Sequence, residues 1–485
     1  MSRRSSALPW LLVVAGAILV AGYAGADEKA SPRAAAAAKP SVTAPLSAAD
    51  VYRKCEASVA TLGFARKDPA DPKTTHTEYG TGVIVHEAGY ILTNAHILRR
   101  GGKGAAGIHG RDYPCRVVAV DEMRDLAVLK VDAEQPLTPI QFGHSSTLVP
   151  GDPIVTIGSP FGVGLSVTTG VVAALNRSTK SDYTHFPSMI QTNTAINPGS
   201  SGGPLLNMRG EMIGINTTSK TGANDMGYAI PVDRIREALP EILDPEGRLG
   251  FVLGLRVTTG SPAAVTDVAK GAPAEAAGIR AGDFVIGVGG ATVASGIDYI
   301  FALMNCHAGE PLRLRLVRGG QTIDLAATPV AIPPRNPDNP PNLVPGLVRE
   351  YYEGTWDRLP DFATLKPKAT AKAETFDLGP YRGKDNFALR FTGYIDVPAD
   401  GIWAFYLKSD DGSRLWIGDR LVVDRDGAHP PTENRGFIPL MAGKHAIRVE
   451  YFDRTELEEL AVSWEGPKVK KQAVPAGVLF AAQSK

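Results

Sequence analysis

The sequence predicts a mostly β protein of several domains, and three observations carry this. Its 485 residues exceed what one hydrophobic core serves. Short β-branched runs alternate with turn residues in a chain of 52 glycines and 37 prolines. A Pro-rich stretch at 331–345 separates two regions of different composition. Formal net charge is zero, and no basic stripe argues for nucleic acid as a partner.

Arg3 and Arg4 make a basic start, Ala7 to Ala26 is apolar and uncharged, and Ala24-Gly25-Ala26 is a small-residue cleavage site. Residues 1–26 read as a signal peptide, and the chain as periplasmic or secreted. The competing reading is an uncleaved membrane anchor, since the apolar stretch has spanning length. Residues 27–47 are an Ala/Pro-rich linker.

Residues 48–245 form the first folded region. Runs such as Thr81-Gly82-Val83-Ile84-Val85 and Pro153-Ile154-Val155-Thr156-Ile157 predict a β-barrel or sandwich. Val232, Ile235, Leu239 and Ile242 recur at helical spacing and predict a closing helix over 232–243. A second unit spans 249–330, with a short helix in 271–279, a helix over 296–304 and a hairpin across Gly319-Gly320. Beyond the Pro-rich linker, 346–480 reads as a third, all-β domain that contains Trp356, Trp403, Trp416 and Trp464.

Three segments of the first region carry chemistry: Thr93-Asn94-Ala95-His96, Asp125-Leu126-Ala127-Val128-Leu129 and Gly199-Ser200-Ser201-Gly202-Gly203-Pro204. The order His…Asp…Ser is that of one of the known hydrolytic triads. Ser201 is the candidate nucleophile, His96 the base and Asp125 the group that orients it. The amides of Gly199 and Ser201 are the candidate oxyanion hole. No His-Glu-x-x-His metal signature occurs, and the catalytic reading needs no cofactor. Cys55, Cys115 and Cys306 are an odd set. Cys55 and Cys115 form a disulfide in one reading, and all three are free thiols in the other.

The flanking motifs identify a resemblance. Thr93–His96, Asp125–Lys130, Ile157-Gly158-Ser159-Pro160-Phe161-Gly162, Gln191–Leu205 and Met226-Gly227-Tyr228-Ala229-Ile230-Pro231 resemble the HtrA (DegP-like) serine proteases. This implies a two-barrel trypsin-like protease domain, an α+β PDZ domain and peptide-bond hydrolysis in envelope protein quality control. It also implies unfolded or misfolded proteins as substrates, and trimers. Ser200 and Asn193 depart from the family's usual Asn and Asp. Ala195, six before the nucleophile, matches the position that sets the primary specificity pocket, and implies a preference for small apolar side chains. In the PDZ-like unit, Phe251, Val252, Leu253 and Gly254 are the candidate loop for a peptide's C-terminal carboxylate. The alternative there is a plain strand that starts at Phe251.

The third region resembles the protective-antigen-type β-sandwich, on Gly346–Tyr352, Phe391–Ile395, Ser409–Ile417 and Ala442–His445. In the adhesin branch of that family, Asp410 and Asp411 would bind calcium and, through it, a glycan. The alternative is that Asp410-Asp411-Gly412 is a hairpin turn. The function read from the whole is an exported serine endopeptidase with PDZ peptide capture and a glycan- or surface-binding module. The alternative is a catalytically silent chaperone or adhesion scaffold.

Overall fold

The computed structural model describes residues 45–67, 73–98, 104–180, 185–219, 226–454 and 458–483. The signal or anchor segment and most of the Ala/Pro-rich linker lie outside these residues. Among the described residues no helix is long and apolar enough to cross a membrane.

Helix α1 (Ala48–Cys55) opens the folded chain, capped by the Ser47 side chain. The strands β1 (Val59–Lys67), β2 (Thr75–His86), β3 (Tyr90–Thr93), β4 (Gly104–Ile108), β5 (Arg111–Asp121) and β6 (Leu126–Val131) follow. They close into a barrel in the order β1-β2-β3-β6-β5-β4. The second barrel takes β7 (Pro153–Gly158), β8 (Ser166–Lys180), β9 (His185–Thr192), β10 (Pro204–Asn207), β11 (Met212–Ser219) and β12 (Gly227–Pro231). Its order is β10-β11-β12-β9-β8-β7. Closure leaves neither set of strands an open edge.

Helix α2 (Val232–Leu243) buries Val232, Ile235, Leu239 and Ile242, the stripe its periodicity predicts. A left-handed Asp244 ends it, and the short α3 (Pro245–Leu249) leads into the next unit.

That unit contains β13 (Phe251–Val252), β14 (Leu255–Val257), β15 (Ala263–Val268), α4 (Pro273–Ala276), β16 (Phe284–Val288), β17 (Ala291–Thr292), α5 (Gly296–Leu303), β18 (Leu312–Arg318), β19 (Gln321–Ala327) and β20 (Val330–Ala331). A reciprocal capping box between Ser295 and Asp298 starts α5. β14 lies at one edge of the sheet, and β13 pairs separately with β20. The unit shares one apolar core with the barrels. At the seam Phe301 of α5 stacks on Tyr90 (ring centroids 4.6 Å apart) and His86 (5.3 Å).

Residues 343–482 build a sandwich of an 8-stranded and a 4-stranded sheet. Trp403 and Trp464 fill its core, with ring centroids 4.8 Å apart. The Pro-rich segment is not a free spacer. The Arg335 amide donates to the Pro439 carbonyl (2.9 Å), and the Asp338 amide to that of Lys444 (2.8 Å). The Arg335 guanidinium donates to Nδ1 of the buried His445 (2.9 Å). The three cysteines are free thiols, so the disulfide reading of Cys55 and Cys115 does not hold here.

Asp410-Asp411-Gly412 is not a hairpin either. The strand Gly401–Asp410 pairs with Thr432–Leu440 and Glu459–Gly466 in the smaller sheet. The strand Ser413–Ile417 pairs with Arg420–Arg425 and Gly443–Asp453 in the larger one. The two aspartates therefore turn a corner between sheets.

Candidate active site

His96 and Asp125 come from adjoining ends of the first barrel. β3 ends at Thr93, and His96 follows in a 3-10 turn. Asp125 immediately precedes β6, the strand beside β3, in a left-handed conformation (φ +54°) that aspartate tolerates. Its carboxylate meets His96 Nδ1 at 2.9 and 3.0 Å and also accepts the His96 amide (2.9 Å). The Asp125 side chain is 2% exposed and that of His96 is 36% exposed. A buried carboxylate thus fixes a partly exposed imidazole through its Nδ1.

Two further residues hold Asp125, and sequence reading missed both. Asn94 Nδ2 donates to its backbone carbonyl (3.0 Å), and the Thr217 hydroxyl donates to its carboxylate. Asn94 sits within the His96 motif and was legible there. Thr217, on β11, carried no signal beyond being a polar residue at the end of an apolar run.

Ser201 lies in the loop before β10. Thr81 of β2 staples this loop: its amide donates to the Ser201 carbonyl (2.9 Å) and its hydroxyl to that of Gly199 (2.6 Å). The glycines are sterically required. A Cβ on Gly202 would stand 2.0 Å from the Thr81 carbonyl oxygen, and one on Gly199 2.5 Å from that of Ser159. The amides of Ser200, Gly202 and Gly203 donate within the protein, to the carbonyls of Asn197, Asn216 and Ser200. Among the described residues, those of Gly199 and Ser201 have no acceptor.

The Ser201 hydroxyl donates to the Thr217 carbonyl (2.8 Å), and no hydrogen bond joins it to His96. Both halves of the site thus meet at Thr217, and the Ser201 hydroxyl is turned from His96. Ala195 is exposed, while Ile196 beside it is buried against Gly227.

In the second unit Phe251 and Val252 form β13, so a strand does begin at Phe251. Leu253 is buried, and Gly254 turns with φ +74°. The Gly254 amide donates to the Glu246 carboxylate (3.1 Å).

In the sandwich Asp410 and Asp411 are each 7% exposed and lie near the buried Asp453. Asp411 accepts the amides of His429 (3.0 Å) and Arg454 (2.9 Å). Tyr451 Oη donates to the Asp410 carbonyl (2.6 Å). Among the described residues Asp453 Oδ2 has no hydrogen-bond partner, and burial together with the charges of Asp411, Asp385 and Asp410 pushes its carboxyl up to about 7. Among the described residues no group of three or more His, Cys, Asp or Glu is placed to hold a metal ion.

Residues 80–215 match the family described as trypsin-like peptidase domain, 250–328 the PDZ domain and 343–477 the PA14 domain. Putative serine protease HhoA of Synechocystis is 33% identical over 303 residues, which cover 56% of this chain and 76% of that protein. The chain belongs to the HtrA family of serine proteases. A probable periplasmic serine endoprotease, DegP-like, of Chlamydia trachomatis is 36% identical to this HtrA protein over 286 residues. The match covers 56% of the chain, which spans 57% of the relative's length. The solved serine endoprotease from Yersinia pestis is 29% identical, with a TM-score of 0.34, over 60% of this chain and 100% of its own. The PA14 domain is the sandwich that the sequence motifs resemble.

Proposed function

We propose that this HtrA protein is an exported endopeptidase that hydrolyses peptide bonds in unfolded or damaged envelope proteins. The observation that carries this reading is the buried Asp125 carboxylate on His96 Nδ1, linked through Thr217 to a serine in a loop with two open amides. In catalysis Ser201 Oγ leaves the Thr217 carbonyl and gives its proton to His96 Nε2 as it attacks the substrate carbonyl. Asp125 stabilises the imidazolium that forms, and the Gly199 and Ser201 amides receive the oxyanion. The imidazolium then protonates the leaving amine, and water releases the acyl group by the reverse path. Without an acid at Ala195, a small apolar side chain before the scissile bond suits the pocket. The discrimination is loose, since one methylene is worth about 1–3 kcal/mol.

One observation favours a latent resting state: the Ser201 hydroxyl is held by Thr217 rather than by His96. A fluorophosphonate probe with mass spectrometry separates the readings. Label on Ser201, lost in His96→Ala, together with casein turnover that Ser201→Ala abolishes, is the expected result. Absence of both label and turnover would instead support the silent chaperone or scaffold. Peptides with Val, Ala or Leu before the cleaved bond should outrun those with Lys or Arg, and the reverse order would refute the pocket assignment.

The PDZ domain is read as capturing peptide C-termini, and the PA14 sandwich as a glycan- or surface-binding module. Periplasmic location and trimeric assembly belong to the same proposal. Calcium suits the sandwich corner in part. A hard cation prefers oxygen ligands, about six to eight of them. Asp410 and Asp411 are the candidate ligands, but Asp411 already accepts two amides and among the described residues no third such group is placed with them, so sugar hydroxyls or water would have to supply most of that shell.

A further inference from the structure

We propose that the chain seats its own Glu246 in the carboxylate cradle of the PDZ domain, so that peptide capture requires this side chain to withdraw. The proposal rests on the reading of that domain as a peptide-binding module and concerns its regulation.

A PDZ-type site holds a terminal carboxylate with loop amides and pairs the peptide backbone along a strand edge. Part of each contact is already made here. Glu246 Oε1 accepts the Gly254 amide at 3.1 Å. Burial, with Asp244, raises the pKa of Glu246, and the amides of Gly254 and Leu253 act against this more than Arg256 does. The carboxylate is therefore held by backbone donors, as a peptide terminus would be. Gly254 can present its amide because it has no side chain: a Cβ there would stand 2.3 Å from that of Ala272.

One carbonyl of the strand edge is taken as well. Leu255 faces Val268 across β14 and β15, while the Ala269 amide donates to the Gly254 carbonyl. This makes Leu255 and Val268 a non-hydrogen-bonded pair, so the Leu255 N–H and C=O point off the open edge of the sheet. Tyr299 of α5, 2% exposed, donates its hydroxyl to that carbonyl (3.2 Å). An incoming strand must displace it.

Glu246 rides on α3, which follows α2 directly. In the same helix Arg248 lies over the Phe437 ring of the sandwich, 5.1 Å from its centroid. A peptide that expels Glu246 therefore acts on a helix touched by all three units.

The test uses the full chain in a Ser201→Ala background, which leaves the probe uncut. The probe is a fluorescein-labelled decapeptide with a free C-terminal valine carboxylate, read by anisotropy. Glu246→Ala should lower its Kd about tenfold, as loss of a charge-assisted competitor predicts. Glu246→Gln should give a smaller gain, because its amide oxygen still accepts but carries no charge. Capping the peptide as an amide should abolish the gain in both. Hydrogen exchange at Gly254 should quicken in Glu246→Ala without peptide. Should Glu246→Ala fold poorly, Glu246→Gln carries the comparison. Equal affinity in parent and variants overturns this proposal alone. Absence of binding in every chain overturns the peptide-capture reading and this proposal with it.

Discussion

Thr217 holds both halves of the cleft: its hydroxyl donates to Asp125, and its carbonyl accepts from Ser201. Thr217→Val keeps the carbonyl and the shape but removes the hydroxyl. It leaves a buried carboxylate oxygen without one of its donors, and a hydrogen bond to a charged group is worth about 1.5–3 kcal/mol. The expected result is a drop in kcat/KM of about ten- to a hundredfold with folding intact, measured on a chromogenic peptide. Full activity in Thr217→Val would mean that Asn94 and His96 position Asp125 unaided. The three proposed catalytic residues were legible in the sequence because each lies in a local motif. Thr217 was not, because its role is set by a partner 92 positions away. Glu246 was hidden for a related reason: nothing in Pro245–Leu249 marks one glutamate as the acceptor of a glycine amide in the next domain.

Elements were easiest to read where periodicity and caps agree. α2 spans the predicted 232–243, and α5 ends one residue before the predicted 304. Strand pairing was harder, since it depends on contacts remote in sequence. Asp410-Asp411-Gly412 has the composition of a hairpin turn, yet its flanking strands belong to different sheets. The seam between barrel and PDZ domain was not legible at all. Within it Phe301 from α5 packs against Tyr90 and His86. His86 Nδ1 accepts the Ala88 amide (3.1 Å), and burial lowers its pKa, so it packs there neutral. Phe301→Ala deletes the fully buried ring from this contact and should cost about 3–5 kcal/mol. Chemical denaturation should show an earlier loss of the PDZ domain, with hydrogen exchange rising along α5. An unchanged transition would mean that the rest of the shared core holds the seam without this ring.

At the scale of the whole molecule, short polar contacts tie the domains together. Arg435 of the sandwich hydrogen-bonds the Ile242 carbonyl at the end of α2, and Arg248 donates to that of Leu243 (3.0 Å). Cations suit a helix C-terminus. The two guanidiniums crowd the Phe437 ring, and burial together with Arg435 lowers Arg248 to about 10. The Pro-rich segment was legible as a boundary, but its attachment to Pro439 and His445 depends on groups over a hundred positions away.

The sandwich has its own pH dependence, set by Asp453. Its carboxyl titrates at about 7 in the fold, against an ordinary value of 3.8. Between these values the folded chain holds a proton that the unfolded chain has lost, so stability falls as pH rises through that window. Above about 7 the full penalty remains, as like charges face one another around Asp410 and Asp411. Four of the five tryptophans lie in this domain, so intrinsic fluorescence of the full chain reports its melting. The melting temperature should fall from pH 5 to pH 8, and Asp453→Asn should flatten that slope. A cation drawn to the corner would relieve the same repulsion. Millimolar calcium should therefore raise the melting temperature more at pH 8 than at pH 5, by preferential binding to the folded state. Asp410→Asn together with Asp411→Asn should remove the calcium effect. An Asp453→Asn curve with the parent's slope would assign the pH dependence elsewhere. A calcium-independent melt at pH 8 would leave Asp410 and Asp411 as a sheet-to-sheet corner without a bound ion.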